Sequence, residues 1–211
     1  MTTEKRPLIT PERVASALTY EQYVSLSTEL LAQGRTTSEA TTYNTPEILG
    51  YAKLNLHRMN RLDKLTTINT ELQGAMKAIP EPWTWLVLTE SWCGDAAQSI
   101  PVMHHVASLS TKVSLRFLLR DKNPDLMDAY LTNGGKSIPK LIALRSADLT
   151  ELGTWGPRPA ALQTLFWEWK NAKRPYAEIT EDLQRWYNND RTVSIQRELL
   201  TLVTSWSKTS M

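Results

Sequence analysis

The sequence has one cysteine, three histidines, two phenylalanines and almost no excess charge. One cysteine cannot close an internal disulfide, which sets aside the cross-linked scaffolds of secreted domains. No His-x-x-x-His or Cys-x-x-Cys spacing is present, so the common metal motifs are excluded. His104 and His105 are neighbours on a predicted helix and point to different faces, and His57 lies in an earlier helix. Twenty-four basic against 22 acidic residues leave a net charge of +2, too little for a nucleic-acid footprint. No apolar run approaches the roughly 18 residues of a membrane helix, and the N-terminus lacks an apolar signal core. These absences predict a cytoplasmic chain in a reducing compartment, with no bound cofactor, no metal, no nucleic-acid partner and no membrane partner.

Size and tryptophan are what the chain does have. At 211 residues and 41% hydrophobic, it can bury a core without cross-links. Eight tryptophans are present, and packing is the plain reading of Trp155, Trp167 and Trp169.

Residues 1 to about 10 read as a loose tail. Thr10-Pro11 is a helix-start signal, with a capping side chain and a proline at the first helical position. A helix in one or two pieces then runs to Gly34, and a Thr-rich loop continues to Asn44. Thr45-Pro46 repeats the signal. Apolar residues at three- and four-residue steps from Ala52 to Ile79 predict one long helix, stopped by Pro80 and Pro82. Arg58, Arg61 and Lys64 fall on its polar side. Strands are predicted over 83–89, 112–119, 140–144 and 149–154, the last two as a hairpin. Helices are predicted over 94–108, 124–131 and 160–173, with a kink at Pro101. The remainder reads as helical. The fold class is α/β: a helical N-terminal extension (1–59), a β-α-β-α-β-β-α domain (60–173) and a helical C-terminal extension (174–211).

The first strand ends on Trp92-Cys93-Gly94-Asp95-Ala96 at a helix start, and Ser137-Ile138-Pro139 opens the later hairpin. This combination resembles the thioredoxin family, whose Trp-Cys-Gly-Pro-Cys motif is matched at its first three positions. The resemblance implies a four-stranded mixed sheet flanked by helices, with a cis Pro139 facing Cys93. It also marks Trp92, Gly94, Asp95, Ala96 and Ile138 as neighbours of a catalytic Cys93. Two positions depart from the family: Ala96 stands where the second cysteine would be, and Val87 where the buried acid would be. The dithiol cycle is therefore closed to this chain.

A cysteine at a helix start meets unpaired N–H groups and the positive end of the helix dipole, which favour the thiolate. Asp95 opposes a second negative charge. The balance predicts a lowered Cys93 pKa. With no second cysteine, a mixed disulfide on Cys93 needs an external thiol to resolve it. This is monothiol thiol-disulfide exchange, with a protein disulfide or a low-molecular-weight thiol such as glutathione or bacillithiol as co-substrate. Arg120, Lys136 and Arg158 are candidate contacts for its carboxylates. Plainer readings stand beside these: Cys93 as an inherited residue, Arg120-Asp121 as a loop ion pair, and Glu90 as either a proton acceptor or an exposed strand end. The alternative function is a redox-inactive module that binds a peptide or protein at the Pro139 face.

Overall fold

The computed structural model describes residues 8–209; most of the predicted tail lies outside them. At the centre is β1 (Trp83–Thr89), buried along its whole length. Its unbroken apolar run is what a strand covered on both faces requires. It pairs in parallel with β2 (Val113–Leu119) and antiparallel with β3 (Lys140–Arg145), which pairs in turn with β4 (Glu151–Trp155). The sheet order is β2-β1-β3-β4. The mixed four-stranded sheet of the expected thioredoxin-like fold is present. β4 begins two residues later than predicted, because Leu149 adopts a φ of 60° in the preceding turn.

Helices cover both faces. The N-terminal pair is α1 (Pro11–Ser16) and α2 (Tyr20–Ala32). Between them Leu18 exchanges two 2.8 Å backbone hydrogen bonds with Phe117 on the outer edge of β2. The single long helix predicted up to Ile79 is instead two, α3 (Pro46–Leu65) and α4 (Thr70–Lys77). The β-branched run Thr66-Thr67-Ile68 weakens helix continuation. Asn69 then caps α4 by accepting from the Leu72 N–H at 2.8 Å. Gln196 braces the break, accepting from the Asn69 N–H and donating to the Thr67 carbonyl.

The crossover helix α5 (Gly94–Ala107) continues through Pro101. α6 (Pro124–Ala129) follows β2, and α7 (Ala160–Asn171) follows β4. The C-terminal part is α8 (Tyr176–Asp190) and α9 (Val193–Thr209), separated by the left-handed residues Arg191 and Thr192. Trp206 of α9 sits edge-on to Trp83 and Trp85, with ring centroids 6.1 and 6.2 Å away. Gly153 of β4 makes that possible: a Cβ there would lie 2.5 Å from the Trp206 Nε1. No described helix is long and apolar enough to cross a membrane.

Candidate functional site

β1 delivers the chain to the turn Glu90-Ser91-Trp92, and Cys93 occupies the N-cap of α5. Residues 36–44 and α3 hold this turn in place. Ser91 N–H donates to the Thr37 hydroxyl at 2.9 Å, and Asn55 of α3 donates to the Ser91 carbonyl at 3.0 Å. Tyr43 lies flat on Trp92, centroids 4.3 Å apart. The Arg120 guanidinium packs over both rings, 5.3 and 4.8 Å from their centroids.

Across the turn, the Ile138-Pro139 peptide is cis, as is Gly156-Pro157. Gly156 has a φ of +110°, and a Cβ there would overlap the Pro139 carbonyl. Glycine is therefore needed where the two proline turns meet. Cys93 is only 8% exposed, and its thiol donates to the Ile138 carbonyl oxygen at 3.2 Å.

The expected lowering of the Cys93 pKa is overturned: the thiol is pushed up to about 12. Burial is the largest cause, because it disfavours the charged form. The negative charge of Asp95 adds to it, while the N–H groups of Ala96 and Asp95 and the Arg158 charge pull the other way. The helix terminus acts in the anticipated direction and is outweighed.

Asp95 is itself buried and fully engaged. Arg158 binds its Oδ2 through both Nε and Nη2, and the Tyr187 hydroxyl donates to Oδ1 at 2.8 Å. Arg158 also reaches Gln163 and stacks over Phe166 at 4.0 Å. Its charge is thus matched inside the protein. Ala96 is buried in α5 and Val87 in β1.

Glu90 is wholly buried, not an exposed strand end. Its carboxylate accepts from the Thr37 hydroxyl and from the Asp121 N–H at 3.0 Å. Burial, the largest influence, raises its pKa to about 7 despite those bonds. Asp121 accepts from Ser38 and pairs with Arg120 at 2.8 Å. Arg120-Asp121 is therefore an ion pair within the chain's own loop. Lys136 pairs with Asp128 at 2.7 Å on the surface.

The three basic residues expected around one site are not brought together there. Arg158 lines a cavity of about 370 Å³ that opens on Cys93, Gly94 and Asp95. Arg120 and Lys136 line a different recess of about 440 Å³ with Pro124 and Met127. The Cys93 cavity has aromatic walls from Tyr43, Tyr51, Trp92, Phe166 and Tyr176, and it includes Arg58. Arg58 sits among the residues placed on the solvent side of the long helix. It is instead half-buried in a recess shared with Thr180 and Gln184 of α8, donating to Asn55 at 2.8 Å. Among the described residues it forms no ion pair. One signal in the sequence could have found it. Asn55 falls on the buried stripe of α3 with Ala52, Met59 and Leu62, and a polar residue there needs partners nearby.

Two of the three histidines take structural roles: His104 stacks on Tyr20 at 4.1 Å, and His105 contacts the Asp63 carbonyl at 3.1 Å. Trp155 is buried and donates to Glu198 at 2.6 Å.

A thioredoxin family model matches residues 43–173. The chain belongs to that thioredoxin family. The match starts ahead of residue 60 and takes in all of α3, so Asn55 and Arg58 fall inside it. Two solved structures share the fold. One is a protein of unknown function from Pseudomonas aeruginosa, 14% identical, with a TM-score of 0.52, covering 89% of this chain and 98% of that one. The other is an HIV epitope-scaffold, 15% identical, with the same TM-score and coverage. No curated protein matches the chain. In this thioredoxin-family chain the strand, motif cysteine, helix and cis proline are all in place, and the second thiol is not.

Proposed function

We propose that this chain is a thioredoxin-like binding module in which Cys93 is a resting thiol. The observation that carries the reading is the state of that thiol. It is buried, donates a hydrogen bond to the Ile138 carbonyl, and has the buried alanine Ala96 at the motif position of a resolving cysteine. A thiol whose pKa burial raises so far above the ordinary range holds very little thiolate at pH 7. The cavity before it supports a binding role, since aromatic walls with a few polar groups are the usual make-up of a ligand site. The partner in this reading is a peptide or protein, met in the reducing cytoplasm, that enters at the cavity in front of Cys93.

Capture by chemical cross-linking tests it: Cys93→Ser should retain the same partners as the unaltered chain. Partners lost with Cys93→Ser and trapped as mixed disulfides on Cys93 would refute it. One observation favours a second reading, monothiol exchange: Cys93 lines the cavity rather than lying behind it. In that reading, attack of the Cys93 thiolate on a disulfide expels one thiolate. An external low-molecular-weight thiol, itself oxidised into a disulfide with the captured sulfur, then releases Cys93 reduced.

A further inference from the structure

The charge inside the Cys93 cavity does not balance. Arg158 and Asp95 neutralise one another, and the Cys93 thiol is uncharged. Arg58 is left as a lone positive charge. It is half-buried, with burial and the nearby Arg61 disfavouring its charge and Tyr51 favouring it; it forms no ion pair with a described carboxylate, and Glu181 lies across a neighbouring, more open recess. A half-buried charge without an ion-pair partner carries part of a desolvation cost, and an anion in the cavity lowers it. Asn55 fixes one end of the guanidinium by accepting from Nη1, and Asn55 is anchored in turn by its bond to Ser91. The guanidinium is therefore positioned with other N–H groups unused by any described partner. Trp92, another wall residue, has a buried indole N–H without an acceptor among the described residues.

We infer that this cavity binds a single carboxylate carrying an apolar, flat side group. Arg58 supplies the planar fork that matches two carboxylate oxygens. Tyr43, Tyr51, Ile48 and Phe166 supply the apolar walls. A cation is repelled by Arg58. A dianionic phosphate would need a second free positive charge, and Arg158 is held by Asp95. The volume of about 370 Å³ lies within the range of roughly 300–1,000 Å³ usual for ligand pockets. The carboxylate has two sources with the same chemistry, a free aryl-alkanoic acid or the C-terminus of a peptide ending in an aromatic residue. The inference deepens the binding-module reading by naming the chemical end that enters the cavity.

Calorimetric titration of the full chain tests it with four probes: 3-phenylpropionate, 3-phenylpropionamide, N-acetyl-Ala-Ala-Phe and its C-terminal amide. At least one acid should bind saturably and its amide at least tenfold more weakly. Binding of 3-phenylpropionate assigns a free acid, and binding of the tripeptide acid alone assigns a peptide C-terminus. Arg58→Gln should erase the preference for acid over amide, Arg58→Lys should restore part of it, and Arg61→Gln should leave it unchanged. Ile48→Trp, which adds bulk to the cavity wall and leaves the Arg58 side chain unaltered, should weaken binding at least tenfold in a chain that still melts cooperatively. Acid and amide binding alike, an acid preference that survives Arg58→Gln, or no binding by any probe would overturn the inference. The same titration on Cys93→Ser separates the two proposals. An intact acid preference together with redox-active Cys93 would remove the resting-thiol reading and leave this site standing.

Discussion

The sulfur of Cys93 lies 3.2 Å from the carbonyl oxygen of Ile138, and the thiol proton is directed at that oxygen. Ile138 precedes the cis Pro139, so the two halves of the site, far apart in sequence, are joined at the sulfur itself. A proton held there is removed from exchange chemistry.

The ion pair beside it should control both stability and the thiol. Asp95→Asn removes the only described carboxylate bound to Arg158 and leaves that buried cation unanswered. The expected cost is about 3 kcal/mol, near the lower end for a broken buried pair because the amide still accepts from Tyr187. Urea denaturation measures it. In the same variant the Cys93 pKa should fall, since the Asp95 charge is one of the influences raising it.

Glu90 should make stability depend on pH. Its carboxyl is raised to about 7 in the fold, from 4.5. Between these values the folded chain holds the proton more tightly than the unfolded chain. Stability from this group is complete below about pH 4.5 and is lost as pH rises to 7. Glu90→Gln should flatten that part of a melting-temperature profile taken from pH 5 to 7.5. An unchanged slope would show that Glu90 does not titrate there.

Gly156 should tolerate no side chain. Gly156→Ala combines a φ of +110° with overlap on the Pro139 carbonyl, so at least about 3 kcal/mol of destabilisation is expected in urea unfolding. A change below 1 kcal/mol would mean that the two proline turns move apart easily.

Arg120 should matter to the packing of the cavity wall and not to the thiol. Arg120→Ala removes its stacking on Tyr43 and Trp92 and should cost about 1 kcal/mol. The Cys93 pKa should stay where it is.

How much of this was legible in the sequence depended on whether neighbours in the chain set it. β1 was legible because an apolar run of that length, ended by a turn, has few other fates. Cys93 at the start of α5 and Pro139 opposite it were legible through their motifs, which encode backbone geometry. The electrostatics were not. The dipole and first-turn amides at Cys93 are local, and they point to a lowered pKa. The burial that reverses it comes from the packing of distant segments. Arg58 was lost for the same reason: helical periodicity marks its side of α3 as polar, but residues of α8, more than a hundred positions later, line the same recess. The break at Asn69 was readable from its capping side chain and was masked by the unbroken apolar spacing on either side.

The central claim is that Cys93 is a resting thiol, and the single cysteine makes the decisive measurement clean. The rate of iodoacetamide alkylation of the native chain is followed from pH 6 to 11, with unfolded chain as reference. A resting thiol should react far below the reference, at a rate that climbs about tenfold per pH unit and reaches no plateau up to about pH 10.5. A plateau with its midpoint at or below that of an ordinary thiol, about 8.5, would contradict it and return Cys93 to the role of nucleophile.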